Sequence, residues 1–439
     1  MSRKWLILGG GLTGVTLARL LSEKGDSVTV FEKNNKTGGL CVSEKRNGFT
    51  FDTGGSHIVF SRDTEVLQFM QNVLDGNREF RNRNTKIFYK GRYVKYPFEN
   101  GLSGLPKDDL YFCISEYIKM LIASEKGEIA EPQNFKEWIY ATFGKGIAEC
   151  YLVPYNEKIW NYPVDKMSKH WMEGRVPRPP VEDIIKSAVG IETEGYTHQS
   201  VFSYPIEGGI EALIRAVEAP VTESILTNTE VTAVEKTASG WKVTAGGKTY
   251  EGDELISTIP LQILLPMLEA PAGVKDAVGA LRYNSIACIS VGIKGEVPDI
   301  SWMYIPEGKW GAFNRLSFPS NFSTKTAPEG CSSILAEITY NEGDEISKMS
   351  DDEIISHTVS GLREMGLVSD NVVFTAVDRF TYAYVVYDTE YLKNIKTARE
   401  WIEAQGIHLV GRFSQFEYLN MDGCIRSVMN FVNGQEAGK

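Results

Sequence analysis

Apolar positions divide the chain into stretches of different period. Trp5, Leu6, Ile7 and Leu8 form an unbroken apolar run stopped by Gly9-Gly10-Gly11, and Val15, Leu17, Ala18, Leu20 and Leu21 then recur at helical spacing. Val28, Val30 and Phe31 form the next strand, which ends on Glu32. The opening therefore reads strand, glycine turn, helix, strand. A helix is expected over 64–74 and a hairpin over 86–94 turning at Gly91, after which Tyr96-Pro97-Phe98 breaks the pattern. From Pro106 to about Ala188 the period is helical. Leu110, Ile114, Tyr117, Ile118, Leu121 and Ile122 make one apolar face behind Asp108 and Asp109, and further helical segments are expected over 135–150 and 166–174. That face is expected in the core, because its polar side lacks the Lys/Arg excess of an interfacial helix.

Strand and turn signals return at Phe202. They give a strand over 202–205, a turn at Glu207-Gly208-Gly209, a helix over 210–217, and strands over 231–234, 241–244 and 255–258. Strands over 285–293, 301–305, 312–318 and 332–340 point to an antiparallel sheet, followed by a helix over 351–365. A buried strand over 407–412 ends in glycine, and a helix begins near Met421 with Asp422 as its expected N-cap.

The first glycine cluster carries specific chemistry. In a strand–turn–helix unit Gly9 permits the tight turn, Gly11 lets backbone approach a pyrophosphate, and Gly14 lets helix and strand pack closely. The helix N-terminus offers free N–H groups to phosphates, with Leu12 and Thr13 in its first turn. Glu32, 18 residues beyond Gly14, stands where a carboxylate accepts ribose hydroxyls, with Lys33 beside it. A second pair, Gly38-Gly39-Leu40, and a third cluster, Asp52-Thr53-Gly54-Gly55-Ser56-His57, supply more bare backbone than a nicotinamide cofactor needs. The combination resembles the FAD-containing family of amine oxidases, protoporphyrinogen oxidases, phytoene desaturases and UDP-galactopyranose mutases, so FAD is the expected cofactor.

Composition narrows the partners. The 439 residues exceed one simple core, and a net charge of −11 argues against nucleic acid or an anionic membrane. The six cysteines, at 41, 113, 150, 288, 331 and 424, show no metal-ligand spacing, so no metal site is expected and a reducing cytoplasm is. No basic-then-apolar leader precedes the first strand, and the apolar stretch 255–268 is interrupted by Pro260 and Pro266, so no membrane span is expected.

A narrower resemblance rests on Tyr151-Leu152-Val153-Pro154-Tyr155-Asn156-Glu157-Lys158-Ile159-Trp160, Gly174-Arg175-Val176 and Gly411-Arg412-Phe413 with Tyr418. Tyr96-Pro97-Phe98-Glu99-Asn100, Tyr204-Pro205-Ile206-Glu207-Gly208-Gly209 and Trp302-Met303-Tyr304 extend it along nearly the whole chain. Here the chain is similar to UDP-galactopyranose mutases, nearer their eukaryotic type. The resemblance implies that Arg175 and Arg315 grip the diphosphate of a nucleotide sugar, expected to be UDP-linked. Asn156, Trp160, Trp302, Tyr304, Tyr384 and Tyr418 would line the sugar cleft. Gly55, Ser56, His57, Val231, Gly411, Arg412, Met421 and Asp422 would complete the cofactor site. For the arginines the alternative is a salt bridge; for the aromatics it is core packing.

The implied activity interconverts pyranose and furanose rings through a covalent adduct with reduced FAD, which requires an electron donor. The alternative is an FAD-dependent oxidoreductase of the amine oxidase or protoporphyrinogen oxidase type; a non-catalytic flavin-binding protein is a third reading. Phe322 stands in place of a phosphate-binding tyrosine, Glu99 in place of an amide and Glu417 in place of an arginine. The glycine loop carries one more residue before His57 than the eukaryotic-type pattern contains. The two acidic replacements raise the reading of a sugar bearing an amino group.

The fold class expected is therefore α/β: a Rossmann-type FAD-binding domain (1–95, 197–260 and 400–439), a helical insertion domain for substrate (96–196) and an antiparallel β-sheet substrate domain (261–399).

Overall fold

The computed structural model describes residues 2–169, 179–193 and 201–437. Arg175 and part of the expected helix over 166–174 lie outside these residues. The chain opens with β1 (Lys4–Leu8), α1 (Leu12–Glu23) and β2 (Ser27–Phe31). β1 is covered on both faces, which explains its unbroken apolar run. It lies in the middle of a five-stranded parallel sheet ordered Ile407–Leu409, Glu254–Ser257, β1, β2 and Ile225–Leu226. Residues over 200 positions apart in sequence thus build one sheet. The strands Val231–Thr237, Gly240–Ala245 and Lys248–Gly252 do not join it; they form a separate antiparallel sheet.

A second large sheet has seven strands, in the order Val372–Val386, Arg282–Lys294, Cys331–Tyr340, Arg315–Ser317, Trp302–Tyr304, Thr85–Tyr89 and Arg92–Lys95. Two expectations are corrected here. The hairpin over 85–95, placed by sequence with the first cofactor unit, belongs to this sheet, and Trp302–Tyr304 pairs with Thr85–Tyr89 in parallel, so the sheet is mixed. A hairpin's own pattern specifies its turn but not which distant edge it covers.

One face of this sheet is apolar. Ala287, Ile289, Val291, Met303, Leu316, Ala336 and Ile338 pack there with Ile354 and Leu362 of the helix Asp351–Glu364, which starts with a Ser350/Glu353 capping box. The opposite face carries the row Asp378, Cys288, Glu337, Arg315 and Tyr304, each residue in register with the next. A row of polar groups on a half-covered face needs a purpose, since each must find a partner.

The helical region comprises Lys107–Glu125, Phe135–Ile147 and Val153–Trp160. The last two are joined through a π-turn over Ala148–Leu152, where the expected helix ended. Pro154 has no N–H to donate back to the preceding turn, so the ladder widens before it and the helix continues to Trp160. On Lys107–Glu125 the expected apolar face is only partly covered. Leu110, Ile114, Tyr117 and Leu121 pack inward, whereas Ile118 and Ile122 are about half exposed. Among the described residues no helix is long and apolar enough to cross a membrane.

Candidate active site

A cavity of about 1070 Å³ opens beyond the C-terminal ends of the parallel strands and reaches the polar face of the seven-stranded sheet. Its near half is built by the glycine turns. A Cβ on Gly14 would collide with the Gly9 carbonyl, so only glycine lets α1 pack this closely on β1. A Cβ built on Gly11 would meet only Gly39 Cα, at 3.9 Å, and the two turns are stitched by Gly38 N–H donating to Gly10 O. Leu12, Thr13, Lys33, Leu40 and Val231 line the same half. The Glu32 carboxylate accepts from Gly10 N–H at 2.9 Å and Asn34 N–H at 2.8 Å, which locks both turns and leaves lone pairs toward the cavity.

The third cluster forms a loop that brings Ser56 and His57 to the wall. Asp52 anchors it: buried, it accepts from Ser43 Oγ, Tyr204 OH, Ile210 N–H and the His57 backbone N–H. Burial pushes Asp52 up to about 6 despite these donors. Gly55 (φ +102°) lies just behind the wall. His57 Nδ1 contacts the Gly55 carbonyl at 2.7 Å, which fixes the Nδ1–H tautomer, and burial pushes the imidazole down to about 4. It is therefore a neutral group at neutral pH.

Among the described residues, five arginines, 62, 83, 315, 379 and 412, line the cavity. Arg315 is held by Glu337 through two bonds, Nε to Oε1 at 3.0 Å and Nη2 to Oε2 at 2.6 Å. Arg315 is thus salt-bridged, the alternative raised from sequence, and it also lines the cavity. Arg412 lies over the rings of Tyr384 (5.1 Å) and Tyr418 (5.0 Å). Its Nη1 donates to Leu419 O, while its buried Nε and Nη2 have no protein partner among the described residues. Two buried guanidinium nitrogens without a protein acceptor, on a residue that lines the cavity, leave donors for a ligand or a water. Gly411 (φ +91°) packs on Thr13 and sets the turn that aims Arg412.

Of the expected cleft aromatics, Trp302, Tyr304 and Tyr418 line the cavity. Trp302 Nε1 donates to Tyr304 OH at 3.1 Å and lies under Arg83, with 4.7 Å to the ring centroid. Trp160 and Tyr384 stand one layer back, Trp160 edge-on to both Tyr384 and Tyr418. Asn156 turns into its own helix: Nδ2 donates to Leu152 O at 2.7 Å, and Oδ1 accepts from Trp160 Nε1. Asn156 thus positions Trp160 and does not line the cavity. Met421 and Asp422 do line it, but Asp422, expected as the N-cap, lies inside the first turn of the helix Met421–Ala437, two residues past the capping position at Asn420. There its carboxylate accepts from Ser61 Oγ at 2.7 Å and still complements the helix dipole.

The departures from pattern also resolve. Phe322 is core, packed edge-on against Phe202, Tyr204 and Trp302. Glu417 pairs with Arg399 at 3.0 Å, and Glu99 is buried with burial pushing it up to about 7. Neither lines the cavity, so the reading of an amino sugar loses its basis. Arg62, Arg83 and Glu337 were not singled out from sequence. Glu337 carried one signal, a lone acid in the apolar run Ser332–Tyr340.

The three glycine clusters, a carboxylate at the end of β2 and a helix N-terminus at the pyrophosphate position fit a dinucleotide. The bare backbone at Gly38-Gly39 and the loop ending at His57 leave room for the longer reach of a flavin. Consistent with this, the chain belongs to the flavin-containing amine oxidoreductases, whose family model matches residues 12–429. FAD is its cofactor.

Within that family the chain is 24% identical to dTDP-fucopyranose mutase of Escherichia coli, over 46% of this chain and 54% of that protein, so it spans about half the length of this relative. It is 20% identical to coproporphyrinogen III oxidase of Staphylococcus aureus, over 97% of each. A crystal structure of reduced UDP-galactopyranose mutase superposes with a TM-score of 0.91 at 26% identity, covering 100% of this chain and 96% of that one.

Proposed function

We propose that the protein is a flavin-dependent nucleotide-sugar mutase, interconverting the pyranose and furanose forms of a UDP- or dTDP-linked sugar. The observation that carries the reading is the cationic wall: Arg315 enters the cavity beside Trp302, Tyr304 and Tyr418, while Arg412, set by Gly411 against Thr13, adds positive charge on the flavin side. Guanidinium groups bind phosphate with about 1.5–3 kcal/mol net per charge-assisted bond. The structural likeness to UDP-galactopyranose mutase along the whole chain supports the same assignment.

Bound and reduced, the flavin supplies an electron-rich centre toward the anomeric carbon, with no net redox change. In this reading Arg315, with Arg175 as the second expected clamp, holds the departing diphosphate so that its return is effectively intramolecular. Tyr304 and Tyr418 present hydroxyls to the sugar, and Trp160, steadied by Asn156, backs Tyr418. His57, neutral, contributes its place on the wall and carries no charge. An electron donor is needed to keep the flavin reduced.

The match to coproporphyrinogen III oxidase favours a second reading, a flavin oxidoreductase. Conversion of a nucleotide sugar by the reduced protein, with no electron acceptor consumed, separates the two.

A further inference from the structure

The Glu337 carboxylate bonds both the glycine loop, at Ser56, and Arg315 across from it. It sits 1% exposed in the strand Cys331–Tyr340, on the row shared with Arg315 and Tyr304. Oε2 accepts from Arg315 Nη2 at 2.6 Å, and Oε1 is shared between Arg315 Nε at 3.0 Å and the Ser56 backbone N–H at 3.2 Å. Gly55 presents its bare Cα to the same carboxylate, where a Cβ would stand 3.6 Å from Oε2. The glycine loop thus has two acidic anchors. Asp52 holds the His57 N–H from within a fixed network of Ser43, Tyr204 and Ile210, whereas Glu337 holds Ser56 through an oxygen that Arg315 also uses.

We propose that Glu337 is a positioning residue that couples nucleotide binding at Arg315 to the redox state of the flavin, acting through Ser56. The inference rests on the diphosphate reading of Arg315. An incoming diphosphate competes with Glu337 for the guanidinium N–H groups, and whatever hold the carboxylate loses on Arg315 alters its hold on Ser56 at the flavin wall. Coupling of this kind is reciprocal: if nucleotide shifts the flavin's reduction equilibrium, reduction shifts nucleotide affinity by the same factor.

The test uses the FAD-loaded protein with UDP as probe. The dissociation constant of UDP is measured for the oxidised and the dithionite-reduced protein, and the flavin midpoint potential with and without saturating UDP. In the wild type the two constants are expected to differ about tenfold, equivalent to about 30 mV for a two-electron couple. Glu337→Gln, of the same shape but without the shared anionic oxygens, should still bind UDP while the ratio falls to within about twofold. Glu337→Asp, too short to span Arg315 and Ser56 together, should lower the ratio as well, and it serves if the Gln variant does not fold. A ratio that stays at the wild-type value in either folded variant overturns the proposal, as does a wild type that binds UDP equally in both states. If UDP does not bind the wild type, dTDP takes its place as the probe; failure of both in either state removes the nucleotide reading itself, and this proposal with it.

Discussion

Replacing Arg315 separates its structural work from its work on ligand. Arg315→Met leaves the Glu337 carboxylate, 1% exposed, without its ion-pair partner. Breaking a buried pair from one side costs about 3–5 kcal/mol. Replacing both partners by apolar groups of similar volume is commonly neutral, so Arg315→Met/Glu337→Leu should return to within about 1 kcal/mol of the wild type. Nucleotide affinity should behave differently. Each charge-assisted bond to phosphate contributes about 1.5–3 kcal/mol, so both variants should bind UDP roughly ten- to a hundredfold more weakly. The assay is urea unfolding followed by circular dichroism at fixed FAD, with UDP titrated against the flavin absorbance of the same samples. Recovery of stability without recovery of UDP binding is the expected pattern. If the double variant regains both, Arg315 is only the structural partner of Glu337 and the cationic-wall argument fails.

Other expectations follow from single residues. In Gly14→Ala a Cβ must displace the Gly9 carbonyl, at about 1–3 kcal/mol, so the purified protein should carry substantially less flavin per chain; full flavin content would contradict the cradle geometry. Glu99 is raised from 4.5 to about 7 by burial, so between those values the folded chain holds a proton that the unfolded chain has released, and stability falls as pH rises through the window. Glu99→Gln should match the wild type near the bottom of that window and exceed it above the top, by on the order of 3 kcal/mol in denaturant midpoints converted to free energy; a pH-independent difference would rule this out. For His57, pushed down to about 4, no limb of the pH–rate profile should appear near the ordinary imidazole value of 6.5, and His57→Asn should keep the wild-type profile shape. A limb there that vanishes in the variant would show that the ring titrates during turnover.

The opening unit was legible because its signals are local: an apolar run, three glycines at fixed spacing and an acid at the end of β2 lie within 32 residues. The resemblance could name Arg412 and Tyr418 because they belong to a short recurring segment, and Arg315 by its position along the chain. What stayed hidden depends on pairing between distant residues. Nothing in the hairpin over 85–95 says that its edge receives Trp302–Tyr304 in parallel, and nothing in Arg81-Asn82-Arg83-Asn84 says that Arg83 lies over Trp302. Glu337 was detectable only as an anomaly, since a carboxylate on a buried strand must find a cation and Arg315 is its register partner. Asn156 shows the opposite case: position in a motif implied sugar contact, whereas in this structure a helix-internal bond to Leu152 O takes up its amide N–H.

The central claim, that reduced flavin and the arginine wall together isomerise a nucleotide sugar, is tested most directly under anaerobic conditions. The purified protein is reduced with dithionite, supplied with UDP-galactopyranose and with dTDP-linked pyranoses, and its products are separated by chromatography and weighed by mass spectrometry. A product of unchanged mass, formed only by the reduced protein and without consumption of an electron acceptor, is the predicted result. No conversion of any nucleotide sugar, together with rapid reoxidation of the reduced flavin in air, would contradict it and assign the site to an oxidase.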